Sequence, residues 1–283
     1  MSPSGFVMPR NISFRVETLF TGNKNRVGRI PPDENGIYNG LPMMVMGEVT
    51  QQKTFYEPQS MVNQITNPDT SFNKKLKQGK LYGELGHPNF HGLTDSEKMQ
   101  RLMTVEEKTT SHLITGVFTD SPNSEGNVVV RANLKPSGPY GAVFKESLDD
   151  PVVNTAFSLR AYVDTRQRPD GVKFRNVRQL VTWDTVGASG YATTDKAHAL
   201  GLESFSGDQY NEYEIMVMDN GNLLIDQIAL ESFTDTDLNE IFGSRQISKI
   251  IQTRTMIETD ISMDQRFPSV YRESIFQDFF REG

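Results

Sequence analysis

The chain has 283 residues and a mass of 31.9 kDa, which suits one large domain or a domain with an extension. Its net charge of −7 argues against sequence-independent nucleic-acid binding, and the absence of cysteine excludes disulfide scaffolds, thiolate metal sites and cysteine nucleophiles. We find no apolar stretch long enough to span a membrane and no run of signal-peptide length at the N-terminus. We therefore expect the protein to act in the compartment where it is made.

Alternation of apolar and polar residues predicts strands along most of the chain. In chain order these are an edge strand at 12–20 and further strands at 41–50, 111–118, 126–134, 154–164, 177–186 and 212–219. Helical spacing predicts helices at 60–65, 95–103, 141–148, 236–257 and 269–280, with Thr236 as the cap of the fourth. The pattern indicates an α+β fold of mostly antiparallel strands surrounded by helices, followed by a more helical tail.

The charge is unevenly distributed along the chain. Residues 206–283 hold 15 acidic and 6 basic side chains, whereas residues 1–205 hold 21 acidic and 23 basic side chains. This shift predicts a boundary near residue 205 and an acidic C-terminal extension at 206–283, although a solvated acidic face explains it as well. We assign 1–40 to an N-terminal strand and loop and 41–205 to the main domain.

His87 is the histidine best placed for chemistry. It lies in GELGHP between Gly86, which permits an unusual backbone, and Pro88, which fixes its own φ. A histidine on such a rigid bend suits general-base work, and the fragment also fits a turn histidine without a role. His91 follows at a spacing that can bind zinc on a helix. Pro88 stands where the zinc-protease pattern needs Glu, and no third ligand is evident, so we predict no metal site.

Two predicted strands carry polar residues that need an explanation. Ser158 lies in TAFSLRAYV, where a strand serine is a nucleophile only if a base and an orienting group come from elsewhere in the fold. Asp184 lies in LVTWDTV, and a buried carboxylate must be paired, either by orienting a histidine or in a structural salt bridge. The following GASG, from Gly187 to Gly190, either presents free backbone N–H groups or is a plain turn.

Together these fragments resemble the head-maturation (prohead core) proteases of tailed bacteriophages, a family related to the herpesvirus assemblins. GELGHP is followed 71 residues after His87 by the serine of AFSLR, and then by WDTVGASGYA. Upstream, GEVTQQKTFYEP and GNVVVRANL also resemble segments of the family. The similarity extends from about residue 41 to about residue 200, and it depends on the order and spacing of the motifs together.

The resemblance implies a serine protease site. The family histidine of GEL-x-HP falls on His87, and the strand serine followed two residues later by arginine falls on Ser158 and Arg160. The third catalytic position varies in the family, and here Asp184 is the candidate, with His112 as its competitor. We expect oxyanion support from backbone N–H groups of the Gly187–Gly190 loop and from Arg160.

The resemblance also implies a β-barrel-like, herpesvirus-protease-like core and a function in capsid maturation. Its substrates would be scaffold or core proteins and the major capsid protein, inside the prohead within the host cytoplasm. No cofactor, membrane or direct nucleic-acid contact is expected. Herpesvirus relatives act as dimers, so a homodimer is one expectation.

The family tends to cut after Glu, and this chain carries two similar sequences of that kind in its own tail. GLESF contains Glu203 and ALESF contains Glu231, so both are candidates for self-cleavage, unless the repetition is a coincidence. Two rival interpretations remain open. One is a structural prohead or scaffold protein that has the fold but no activity, and the other is a binding module in which His87, Ser158 and Asp184 lie far apart.

Overall fold

The computed structural model describes residues 11–17, 31–50, 53–150, 155–186, 213–219, 222–223 and 233–243. The strands are β1 (Ile12–Glu17), β2 (Tyr38–Met46), β3 (Thr54–Tyr56), β4 (Tyr82–Glu84), β5 (Thr110–Thr119), β6 (Val128–Pro136), β7 (Ala156–Gln167), β8 (Lys173–Val186), β9 (Tyr213–Asp219) and β10 (Asn222–Leu223). The helices are α1 (Pro58–Thr66), α2 (Ser71–Lys77), α3 (Asp95–Met103), α4 (Gly141–Asp149) and α5 (Asp235–Phe242). The α+β class predicted from the sequence is confirmed.

The larger sheet has six strands in the order β10-β9-β1-β7-β8-β3. Its neighbours are antiparallel except for β3 and β8, which run parallel. The prediction that β1 is an edge strand is wrong, because β1 lies between β9 and β7. The division at residues 40 and 205 stays a prediction, although strands from all three segments join this one sheet.

The smaller sheet has four strands in the order β2-β6-β5-β4, and all of its pairs are antiparallel. The two sheets meet where β4 ends, through a parallel bridge between Leu85 and Thr185 of β8. A second, antiparallel bridge joins Val49, just after β2, to Phe55 of β3. The described strands thus form two open sheets linked by two isolated bridges. The expected barrel-like closure is wrong for this part of the chain, since β2 ends the smaller sheet and β3 and β10 end the larger one.

Local sequence signals set the helix ends. Thr94 and Glu97 form a reciprocal capping box at the start of α3, whose bounds match the predicted 95–103. The cap of α5 is Thr234, not the predicted Thr236, because Asp237 three residues later completes a capping box. This helix ends at Phe242, and the rest of the predicted 236–257 helix beyond Gly243 and the whole 269–280 helix lie outside the described residues.

Apolar side chains form two clusters, one on each face of the six-stranded sheet. The first joins Phe157, Leu159, Ala161 and Val163 of β7 to residues of the four-stranded sheet. The second contains Tyr162 of the opposite face and residues of β1, α3 and α5. Since neighbouring residues of a strand face opposite ways, Ser158 and Arg160 lie on the same face of β7 as Tyr162. Among the described helices, none is long and apolar enough to span a membrane.

Candidate active site

The centre of the candidate site is the pair of strands β7 and β8. Ser158 lies directly opposite Asp184 in this antiparallel register, where paired Cα atoms are about 4.5–5.5 Å apart and both side chains project from one face. The Ser158 side chain is fully buried, and its hydroxyl has no hydrogen-bond partner within the described part of the chain. Buried hydroxyls without a hydrogen-bond partner are rare in folded proteins, and a catalytic role is one of the explanations for them.

Three hydrogen bonds fasten the segment that precedes His87 to β8. The Thr182 hydroxyl donates to the Tyr82 carbonyl at 2.7 Å, the Glu84 amide donates to Asp184 Oδ1 at 2.9 Å, and the Gly86 amide donates to the Thr185 carbonyl at 2.7 Å. β4 therefore runs along β8 until its end lies beside Asp184, and the chain then turns into His87.

Two glycines allow this close approach. A Cβ on Gly83 would lie 2.2 Å from the Trp183 carbonyl oxygen and 2.3 Å from the His112 ring, so no larger residue fits there without a shift of the backbone. Gly86 has a φ of +80°, a conformation that side chains with a Cβ rarely adopt. The two glycines of GELG therefore let β4 approach β8 closely and let the chain turn before His87. The sequence predicted a rigid bend at this point.

The environment of His87 keeps its imidazole neutral. Burial lowers the pKa of His87 from its ordinary 6.5 to about 4, and the positive charge of Arg160 adds to this shift. At neutral pH the ring therefore carries no charge and can accept a proton. Arg160, whose charge acts on His87, lies two residues after Ser158 on the same face of β7.

Asp184 and Arg160 form a buried ion pair. Arg160 Nη2 donates to Asp184 Oδ1 at 2.8 Å and Nε donates to Oδ2, and neither side chain is exposed. Burial raises the pKa of Asp184, and the guanidinium opposes this shift. Both carboxylate oxygens are thus engaged by Arg160 and the Glu84 amide, which is the salt-bridge alternative left open by the sequence. The predicted contact of Asp184 with the His87 ring stays a prediction.

All three nitrogens of Arg160 are engaged. Beyond its bonds to Asp184, Nη2 lies 3.0 Å from Glu84 Oε1, and Nη1 donates to the Thr104 carbonyl at 3.1 Å. Its role as oxyanion support stays a prediction. Gly187, Gly190, Glu203 and Glu231 lie outside the described residues.

His112, the competitor for the third position, lies on the other side of the sheet. Its Nδ1 is 2.9 Å from the Ser111 hydroxyl and 3.1 Å from the Thr185 hydroxyl, and its ring packs 6.0 Å from that of Phe157. Phe157 and Thr185 are register partners next to Ser158 and Asp184, so they face the opposite way. His112 thus lies on the face opposite Ser158 and Asp184, which favours Asp184 for the third position; that assignment stays a prediction.

Two charged residues at the site were not anticipated. Glu84 accepts hydrogen bonds from both Nη atoms of Arg101, at 2.8 and 2.5 Å, and so links α3 to the end of β4. Glu84 lies inside GELGHP, and an acidic residue between glycine and leucine could have indicated a buried, paired carboxylate. Arg101 gave no such signal, because a charged residue in an amphipathic helix is ordinarily solvated.

Comparison with known proteins agrees with the expected class. The chain matches the Peptidase S80 family over residues 16–251, and it belongs to that family. It is 27% identical over 268 residues to the capsid maturation protease of Pseudomonas phage phiKZ, covering 92% of this chain and 93% of that protein. The capsid assembly protease of bacteriophage T4 is similar with a TM-score of 0.44 and 14% identity, over 62% of this chain and 99% of the other.

The resemblance to phage prohead proteases inferred from the motifs is confirmed by the family match and by the phage phiKZ relative. The likeness to herpesvirus proteases stays a prediction.

Proposed function

We propose that this protein is a serine endopeptidase of phage capsid maturation, with Ser158 as nucleophile and His87 as general base. The observation that carries the proposal is that the segment before His87 is hydrogen-bonded to β8 at the residue opposite Ser158. Ser158 lies opposite Asp184, and the turn that carries His87 is fastened to Asp184 and its neighbour Thr185.

The reaction would be acyl transfer in two steps. Ser158 Oγ attacks the carbonyl carbon of the scissile peptide while His87 takes its proton, and His87 then protonates the leaving amine. Water activated by His87 hydrolyses the acyl-enzyme and restores the Ser158 hydroxyl. A pKa of about 4 makes His87 neutral at the start of each step.

The oxyanion of each tetrahedral intermediate needs preorganised donors. We assign them to backbone N–H groups of the loop from Gly187 to Gly190, each of which would contribute about 3–4 kcal/mol in the transition state. Arg160, whose nitrogens are engaged by Asp184, Glu84 and Thr104, supports the site as a fixed positive charge rather than as a free donor.

Access to Ser158 requires a movement. Its side chain has no solvent-exposed surface in this structure, so a substrate peptide reaches it only after the residues that cover it are displaced.

The substrates we propose are the scaffold or core proteins and the major capsid protein of the same phage, cut inside the prohead. The relative from phage phiKZ carries the name of a capsid maturation protease, which supports this setting. We propose that cleavage follows Glu, and that Glu203 and Glu231 in this chain are sites of self-cleavage.

Purified full-length protein should be incubated with its phage's capsid and scaffold precursors, and with matched peptides that carry Glu, Gln or Asp before the scissile bond. We expect cleavage of the Glu peptides and precursors, with products that mass spectrometry maps to Glu. Fragments of the chain itself should end at Glu203 or Glu231. Absence of any cleavage would favour an inactive structural prohead protein, whereas cuts at other residues would reject only the Glu specificity.

A further inference from the structure

Four charged side chains from four separate elements form one buried network beside the candidate site. They are Glu84 at the end of β4, Arg101 of α3, Arg160 of β7 and Asp184 of β8, and none is more than 9% exposed. Two carboxylates and two guanidiniums alternate in it, so its net charge is zero. Burying four charges is costly unless each is paired, and here each pair meets within hydrogen-bond distance.

Glu84 is the residue on which the network converges. Its carboxylate accepts both Nη atoms of Arg101, lies 3.0 Å from Arg160 Nη2, and accepts the Glu106 amide at 2.8 Å. Burial alone would raise its pKa, but the hydrogen bonds from Arg101 and the charge of Arg160 outweigh burial and lower the pKa to about 2. Glu84 is therefore ionised at neutral pH.

Glu84 also contacts both strands of the site, β8 through its backbone amide and β7 through its carboxylate. Its amide donates to Asp184 Oδ1 at 2.9 Å, while its carboxylate holds Arg160, which in turn holds Asp184. His87 comes only three residues later, with no other strand between them. A displacement of Glu84 would therefore move both the turn that carries His87 and the guanidinium whose charge acts on it.

We propose that Glu84, clamped by Arg101, is a positioning residue for the reaction: it fixes Arg160 and the His87-bearing turn relative to Ser158. This inference rests on the proposed function. It goes beyond that function by making α3, through Arg101, part of the apparatus that places the general base.

The sign of the expected electrostatic effect follows from the charges that face this region. They are Glu84 from β4, Arg101 from α3, Arg160 from β7 and Asp184 from β8, together with the partly exposed Glu106, whose Oε1 lies 3.3 Å from Arg101 Nε. Removing the negative charge of Glu84 leaves Arg160 less neutralised, and an uncompensated positive charge disfavours the imidazolium form of His87. The pKa of His87 should then fall below its value of about 4.

The test compares wild type with Glu84→Gln and Arg101→Lys in the full-length protein. Asp120→Asn is the matched control, because Asp120 pairs with Arg131 at a surface site where both are about a third exposed. For Glu84→Gln we expect kcat to fall at least about tenfold and the acid limb of kcat/KM to move to lower pH by about half a unit or more. Arg101→Lys keeps the charge but loses the two-pronged contact, so kcat should fall while the acid limb stays in place.

A second readout does not depend on activity. Titration of the four histidines by NMR in the Ser158→Ala background reports the pKa of His87 directly in each variant. If Glu84→Gln folds with wild-type kcat and an unshifted His87, the proposal is overturned. If Glu84→Gln does not fold, Arg101→Lys decides: a folded variant with wild-type kcat overturns the proposal too.

The two proposals fail separately. If wild type shows no Ser158-dependent cleavage, the proposed protease function fails. The shift of the His87 titration in Glu84→Gln still tests the coupling in that case.

Discussion

Ser158 lies directly opposite Asp184 across β7 and β8, yet the Asp184 carboxylate is held by Arg160 and by the Glu84 amide. The aspartate therefore joins the nucleophile's strand to the histidine's turn. This arrangement supports a role for Asp184 in placing the proposed nucleophile and the proposed base.

Replacing Asp184 by Asn removes a buried charge without changing the size of the side chain. Arg160 is then left with Glu84 alone, which should lower the free energy of unfolding by about 3–5 kcal/mol. The positioning of His87 should suffer as well, lowering kcat by about 10²–10⁴-fold. Urea denaturation and peptide kinetics check both effects.

The control is Asp120→Asn, at the partly exposed pair with Arg131. It should lower the free energy of unfolding by less than about 1 kcal/mol and leave kcat unchanged. Near-normal turnover of Asp184→Asn would transfer its role to another residue.

The half-buried His87 and the fully buried His112 should respond differently to the same substitution. His87→Gln removes the proposed base and should lower kcat/KM by at least about 10³-fold. His112 lies on the opposite face of the sheet, against Ser111 and Thr185, so His112→Gln should lower the melting temperature but keep kcat/KM within about tenfold. The kcat/KM of both variants should be measured at a temperature where both are folded. A larger loss of kcat/KM in His112→Gln than in His87→Gln would show that His112 is the base.

Burial of His112 makes stability depend on pH. Burial lowers its pKa from the ordinary 6.5 to about 3, so the folded state keeps the ring neutral while the unfolded state takes up a proton. The contribution of the neutral ring is complete above pH 6.5 and is lost as the pH falls from 6.5 toward 3. The free energy of unfolding should then drop by up to about 1.4 kcal/mol per pH unit from this residue.

Urea unfolding at pH 7, 6 and 5 checks this slope. His87 contributes a similar slope down to its own pKa of about 4, whereas Glu240, whose pKa burial raises to about 6, contributes a slope of opposite sign, so His112→Gln should reduce the net slope by up to about 1.4 kcal/mol per pH unit. An unchanged slope in the variant would mean that the His112 ring titrates normally in the folded protein.

Gly83 should be the least replaceable glycine of the motif. In Gly83→Ala the new methyl would overlap the Trp183 carbonyl and the His112 ring, so β4 must move away from β8. We expect a loss of about 1–3 kcal/mol in the free energy of unfolding, together with lower activity. Gly116→Ala is the control, because its nearest neighbour is the flexible Asn133 amide at 3.2 Å. Equal unfolding midpoints for the two variants would be inconsistent with the close approach of β4 to β8.

The sequence predicted those features that depend on short-range pattern. Period-two alternation located β7 and β8, and helical spacing located α3 at its observed bounds. The sheet order was not predictable in the same way, since β1 pairs with β7 and β9, which lie about 150 and 200 residues further along the chain.

In the candidate site too, the sequence predicted the short-range features and missed the long-range ones. GELGHP drew attention to His87, because glycine and proline constrain the backbone locally. The ion pairs of Glu84 with Arg101 and of Asp184 with Arg160 join residues 17 and 24 positions apart on different elements. Residue type alone gives no partner for a buried charge, so only the packing of α3 and β4 against β7 and β8 reveals the network.

The central claim is that the Ser158 hydroxyl performs the chemistry, and the most direct measurement compares cleavage by wild type, Ser158→Ala and Ser111→Ala. Ser111 is an equally buried serine, but its hydroxyl contacts His112 on the other face of the sheet. At equal concentrations, with precursors as substrate, wild type and Ser111→Ala should cleave, and Ser158→Ala should lose at least about 10⁴-fold in rate. Cleavage by a folded Ser158→Ala at a rate close to wild type would contradict the account.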